Sequence, residues 1–288
     1  MRWTPGGPSS DIEDQRGGGG GFNIGGRGGL GCGGVIILLV LSLLFHRNFF
    51  ALFDNSGGGQ RPAAVPGEQA PPASETPDEK KSVQFVSFVL DDAQSTWDRI
   101  LPEQTGKRYR HAKLVLFRDA IQSACGSARS SSGPFYCPED QRVYIDLGFY
   151  DELKQRFGAP GDFAQAYVIA HELGHHVQRI LGTEAEVHRA MENDPDRANA
   201  YSVRLELQAD CYAGVWGHST SERGILENGD VEEGLNAAAS IGDDRLQRMS
   251  GRSVNPDSFT HGSSQQRVTW FKRGFESGRI ADCDTFAK

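Results

Sequence analysis

His171, Glu172 and His175 stand in the run His171-Glu172-Leu173-Gly174-His175. Residues four apart on a helix lie one above the other, so the two imidazoles face a common point and Glu172 falls beside them. Neutral imidazoles are good zinc ligands, and a carboxylate next to them can take a proton from a water held at the same point. This is the HExxH arrangement of zinc hydrolases. The bland alternative is a pair of histidines on a partly exposed helix face.

A hydrolytic zinc site keeps one position open for water, so it needs a third protein ligand and only one. Glu206 and Asp210, again four apart, supply a carboxylate for that role. Glu206 fits as the ligand, with Asp210 reaching back to the free ring N–H of His171 and fixing its tautomer. Read alone, the pair is equally a solvated acidic face. The extended HExxHxxGxxH pattern is excluded, because positions 178 and 181 are Gln178 and Leu181. Further on, His261 sits in a Gly/Ser turn followed by Arg267. A second donor helps where peptide hydrolysis builds charge on the former carbonyl oxygen, and His261 can be that donor, with Arg267 orienting the turn or binding a carboxylate. A helix-capping loop with an incidental histidine is the competing reading. His176, His188 and His218 are assigned first to surface or supporting hydrogen bonds.

These side chains need two helices to carry them. Residues 162–182 hold Phe163, Tyr167, Val168, Ile169, Leu173, Val177 and Ile180 at helical spacing, with Asp162 as N-cap, Gln165 completing a capping box and Gly182 closing the end. A second helix starts at Pro195 and runs through Glu206 and Asp210 to about Trp216. Residues 83–101 also read as helical, with Val86, Val89, Leu90, Trp97 and Leu101 on one side. Residues 113–117 and 142–147 are strands, and 149–157 a short helix. Few strands among five or six helices give an α+β fold, mostly helical with a small sheet. The strand before the first metal helix can pair with a peptide through its edge or simply pair within the sheet.

Outside this part the composition changes. Residues 1–29 are Gly-rich and read as disordered. Residues 30–53 contain a long apolar run and read as one uncleaved transmembrane anchor. Residues 54–82 form a flexible Pro/Gly/Ser linker, which leaves 83–288 as the folded domain. Of five cysteines, Cys32 lies in the apolar span. Cys125 and Cys137 flank a loop short enough to be stapled, and by elimination Cys211 is left to meet Cys283; four free buried thiols are the alternative. Disulfides agree with an extracytoplasmic domain, periplasmic or extracellular. With 30 Lys and Arg against 38 Asp and Glu, the net charge of −8 argues against nucleic-acid binding.

The run from Asp162 through His171-Glu172-Leu173-Gly174-His175-His176-Val177-Gln178 resembles the bacterial putative neutral zinc metallopeptidase family, the YpfJ-like proteins. So do Glu206-Leu207-Gln208-Ala209-Asp210-Cys211, Gly214-Val215-Trp216-Gly217-His218, Gly242-Asp243-Asp244-Arg245 and Phe259-Thr260-His261-Gly262. The opening Met1-Arg2-Trp3, with Glu13-Asp14 nearby, is also similar to members of that family. The resemblance implies a membrane-anchored zincin-like protein. More distantly the chain is similar to glutamate-ligated zincins such as the M48 membrane peptidases. That likeness implies Glu206 as third ligand, Asp210 behind a ligand histidine, and His261 with Arg267 at the oxyanion; Gly262 departs from the proline common there.

The expectation is therefore a single-pass membrane zinc metallopeptidase acting on a peptide or protein substrate. One Zn²⁺ ion would be held by His171, His175 and Glu206, lowering the pKa of a water from near 16 to about 7. Glu172 would be the general base. The alternative is a catalytically silent zincin-fold binding or scaffold protein at the membrane.

Overall fold

The computed structural model describes residues 1–17 and 75–287, and both stretches belong to one compact unit. In chain order the elements are β1 (Ile12–Asp14), α1 (Pro77–Thr105), β2 (Lys113–Phe117), β3 (Ala120–Ser123), β4 (Gly126–Arg129), β5 (Phe135–Cys137) and β6 (Arg142–Asp146). Seven more α-helices follow among the described residues: α2 (Gly148–Gln155), α3 (Asp162–Leu181), α4 (Thr183–Asn193), α5 (Ala198–Glu222), α6 (Asp230–Ser240), α7 (Asp243–Met249) and α8 (Ser264–Ser277). This is the mostly helical α+β arrangement with a small sheet.

The main sheet has the order β1-β2-β6-β5; β1, β2 and β6 run parallel and β5 antiparallel to β6. In β2 and β6 the paired residues Leu114↔Val143 and Leu116↔Ile145 point to one face. All four are buried in a core shared with Val86, Val89 and Leu90 of α1 and Ala166, Ile169 and Ala170 of α3. β3 and β4 form a separate hairpin, tied to β5 by a Cys125–Cys137 disulfide. A second disulfide joins Cys211 of α5 to Cys283 near the C-terminal end.

Residues 1–17 are not the disordered tail that the glycine content suggested. β1 pairs with β2, Trp3 packs edge-to-face on Phe85 with centroids 5.3 Å apart, and the Met1 ammonium lies 2.7 Å from Asp162 Oδ1 and 3.2 Å from Asp230 Oδ1. A few anchoring side chains outweigh the average composition of that window. The rest of the expected tail, the apolar stretch 30–53 and most of the linker lie outside the described residues. Among the described residues no helix is long and apolar enough to cross a membrane. The expected single-pass anchor, and with it the single-pass membrane localisation, are corrected accordingly.

Three local expectations also change. α1 starts six residues earlier than the apolar pattern indicated, because Thr76 and Glu79 form a reciprocal capping box ahead of Pro77. The N-cap of α3 is Gly161, without a side-chain cap. The Asp162 carboxylate turns to the Met1 ammonium instead, and Glu233 Oε2 accepts from the Phe163 N–H at 3.2 Å. Finally, 142–146 is an internal strand, flanked by β2 and β5, so its edges are not free for a peptide.

The helices that bear the site approach closely where side chains are missing. A Cβ added to Gly174 of α3 would meet the Ala209 carbonyl oxygen of α5 at 2.9 Å and its Cα at 3.1 Å. Gly214 of α5 and Gly274 of α8 face backbone of the opposite helix in the same way, leaving no room for a Cβ. This is why α5 runs on past Gly214: the residue is a packing contact, not a helix end.

Candidate metal centre

His171 and His175 project from one face of α3, and Glu206 from the α5 face that Gly174 brings close. His171 Nε2 lies 3.3 Å from Glu206 Oε2, and His175 Nε2 lies 3.5 Å from Glu206 Oε1. One ligand atom from each of the three residues falls within 4.8 Å of the others. Burial opposes ionisation of Glu206, but His175 and His171 outweigh it and hold the carboxyl well below the usual range.

The ring atoms that face away from this point are engaged. His171 Nδ1 is 2.9 Å from Asp210 Oδ1, and His175 Nδ1 is 2.9 Å from Gln178 Oε1. Both partners are acceptors, so each Nδ1 donates and each Nε2 is left facing the shared point. Gln178 is fixed in turn, its Nε2 donating to the Leu205 carbonyl at 2.7 Å and to Gln208 Oε1 at 3.1 Å. Burial works against charge on His171, yet Asp210 and Glu206 push its pKa up to about 10.

Asp210 is fully buried and anchors a network. Arg267 Nε donates to its Oδ2 at 2.8 Å and Nη2 to its Oδ1 at 2.9 Å, while the Tyr167 hydroxyl donates to Oδ1. Arg267 is itself only 2 % exposed, and the carboxylate it binds is Asp210. Burial raises the Asp210 pKa, but the Arg267 guanidinium outweighs that and holds the group ionised.

His261 lines the same cavity as Glu172, His175 and Glu206. Its loop is wrapped around Asp243, whose Oδ2 accepts from the backbone N–H groups of Thr260, His261 and Gly262 at 2.7, 2.7 and 3.0 Å. Asp243 Oδ1 is 3.2 Å from His261 Nδ1, and this contact raises the imidazole pKa, with the nearby Glu206 charge adding to it. Gly262 has φ +91°, a value closed to proline, whose φ is fixed near −65°. His176 is buried and not a surface residue: Nε2 meets the Arg110 carbonyl at 2.6 Å and Nδ1 the Tyr136 hydroxyl at 2.9 Å. His188 lines the cavity beside Glu184, and His218 points elsewhere, to the Phe275 carbonyl.

Three contributors were not assigned from sequence: Tyr167, Gln178 and Asp243. Tyr167 and Gln178 had signals, each sitting four or three positions from a ligand histidine on α3. Asp243 had only its place in the run Gly242-Asp243-Asp244-Arg245, and no local pattern gave its role, since its partners lie 17 to 19 residues away.

Two imidazoles with free Nε2 atoms and one ionised carboxylate at bonding reach of a common point form a donor set suited to a divalent cation with an open position. That places the protein among mostly helical metal-site proteins with the HExxH arrangement. The chain matches the family described as "Putative neutral zinc metallopeptidase" over residues 1–286 and belongs to it. It is 48% identical over 292 residues to "Uncharacterized protein YpfJ" of Escherichia coli K12, covering 100% of this chain and 99% of that one. It is 41% identical over 204 residues to "Uncharacterized protein Rv2575" of Mycobacterium tuberculosis H37Rv and to "Uncharacterized protein Mb2605" of Mycobacterium bovis, covering 67% of each chain. No solved structure matches.

Proposed function

We propose that the protein is a zinc-dependent peptidase in which His171, His175 and Glu206 hold one zinc ion and Glu172 is the general base. The observation that carries the reading is the convergence of both Nε2 atoms on the Glu206 carboxylate, with Asp210 and Gln178 holding the two Nδ1–H groups away from it. A bound zinc ion supplies Lewis acidity that brings a water pKa down to about 7.

The chain's own residues do the rest. Glu172, on the same helix face and lining the cavity, accepts the proton of the attacking water and passes it to the leaving amine. His261, whose Nδ1–H is engaged by Asp243, donates to the developing oxyanion through the Nε2–H of its imidazolium form, which Asp243 favours. Arg267 keeps Asp210 ionised, and through it His171 in the ligating tautomer. β5 is an edge strand of the main sheet and its Phe135 and Tyr136 line the cavity, so a peptide laid along its outer edge would pass over the site.

Glu172→Gln is expected to retain zinc and lose hydrolysis by about 10³-fold or more, while His175→Ala loses the metal. Chelator-sensitive cleavage of a peptide library by the purified protein, measured beside its zinc content, decides the question. Undiminished cleavage by Glu172→Gln rules out the assignment. Bound zinc without any cleavage favours the alternative, a catalytically silent binding protein.

A further inference from the structure

The two ligand histidines are backed by different chemistry. His171 is held directly by the Asp210 carboxylate, which Arg267 holds in turn. His175 is backed by a line of neutral amides. Gln178 Oε1 lies 2.9 Å from its Nδ1, Gln178 Nε2 donates to Gln208 Oε1 at 3.1 Å, and Gln208 Nε2 donates to the Cys283 carbonyl at 3.0 Å. The other Gln178 N–H goes to the Leu205 carbonyl at 2.7 Å. Gln178 is fully buried and Gln208 only 5 % exposed, so these amides depend on one another for partners.

The line has a single polarity, because a backbone carbonyl only accepts. The Cys283 oxygen takes the amide nitrogen of Gln208 and leaves its Oε1 toward Gln178. The Leu205 and Gln208 oxygens together take both N–H bonds of Gln178, which leaves its Oε1 toward His175. His175 Nδ1 then donates, and Nε2 is turned to Glu206. The far end is fixed independently of the site. Cys283 is bonded to Cys211 of α5, the Ile280 N–H donates to Gln104 Oε1 of α1 at 2.7 Å, and Thr285 Oγ1 donates to the Arg204 carbonyl at 2.8 Å. Two positions from Glu206, Gln208 faces another side of α5 and does not line the cavity.

We propose that Gln208 is a positioning residue for the metal site, locking the Gln178 amide in the one orientation that keeps His175 Nδ1 as donor and Nε2 as ligand. The inference rests on the reading of His175 as a zinc ligand. Without the Gln208 acceptor, one N–H of Gln178 is buried with no partner, and the amide relieves that cost by turning away from His175. Losing the direct partner of a ligand histidine weakens metal binding by about 10- to 100-fold. Gln208 stands one step further back and Leu205 still holds Gln178, so about 3- to 10-fold is expected here.

The test is a double-mutant cycle on the full-length protein, with zinc affinity read by competition with a chromophoric chelator. Gln208→Met, which keeps the length of the side chain, is expected to weaken zinc binding by about 3- to 10-fold; Gln208→Leu serves if it does not fold. In the Gln178→Leu background the same substitution is expected to change affinity by less than about twofold, because the line is already cut. A residue that only supports the fold costs the same in both backgrounds. That result, or Gln208→Met within about twofold of wild type, overturns the proposal. Solvent exchange of the His175 Nδ1 proton in the metal-free protein, followed by NMR, gives a readout that needs no metal. Exchange about tenfold faster or more in Gln208→Met supports the proposal, and unchanged exchange overturns it. A wild-type protein that binds no zinc fails the metal reading on its own, and the exchange measurement still decides the role of Gln208.

Discussion

Arg267→Met removes the three N–H contacts that lead from α8 into the site while keeping most of the side chain's length and apolar volume. Arg267 Nε and Nη2 donate to the two oxygens of Asp210 at 2.8 and 2.9 Å, and Nη2 also reaches the Tyr167 hydroxyl at 3.2 Å. Without them Asp210, fully buried, keeps its charge with only Tyr167 and His171 as partners. Breaking one side of a buried ion pair costs about 3–5 kcal/mol, and His171 offsets a part of that, so about 3 kcal/mol is expected for the metal-free protein. For a domain of this size the melting temperature falls by about 6–12 °C. Replacing both charges, as in Arg267→Met with Asp210→Leu, leaves no orphaned carboxylate and should recover about half of the loss or more. The Asp210 pKa is depressed in the folded state, so its contribution is present above its unfolded value near 4 and disappears as pH falls through the folded one. The gap between wild type and Arg267→Met is thus expected to be constant from about pH 5 to 8 and to close only in stronger acid. Urea unfolding of the chelated proteins across that range is the assay. A single variant within about 1 kcal/mol of wild type, or a double variant no more stable than the single, refutes the reasoning.

Other consequences follow from named contacts. Gln178→Leu frees the Nδ1–H of His175 and is expected to weaken zinc binding by about 10- to 100-fold with little change in the fold, read by competition with a chromophoric chelator. Gly174→Val has no space at 2.9 Å from the Ala209 carbonyl, so it should push α3 and α5 apart and lose zinc even where circular dichroism shows the helices intact. His111 is held by Asp98 and Asp11 at 2.9 and 2.6 Å; burial opposes its charge but these carboxylates outweigh it and raise its pKa. Its stabilisation is therefore fully present below the unfolded value near 6.5 and fades as pH rises through the higher folded one, so the stability difference between wild type and His111→Gln should shrink as pH rises above about 6.5.

The parts of this protein legible in its sequence are those set by short-range geometry. His171 and His175 share a face because a helix repeats every four residues or so, and the apolar spacing around them announced that helix; its end at Gly182, φ +92°, followed from glycine's freedom there. Strand 113–117 was marked by an unbroken apolar, β-prone run, and it spans those residues in the fold. Composition misled at the N-terminus, where glycine content hid Trp3 and the short strand Ile12–Asp14, and the value of that strand exists only against β2.

What the chain could not disclose alone is contact across distance. That Asp162 binds the Met1 ammonium and does not cap its own helix depends on residues 161 positions apart. That 142–146 is internal depends on β5 folding back beside it. The identity of residues at 171, 172, 175 and 206 could be read in one dimension, since each side chain advertises its own chemistry. Their meeting could not, because it is fixed by how near α3 and α5 come at Gly174 and Ala209, and that spacing is settled by packing among all the helices together.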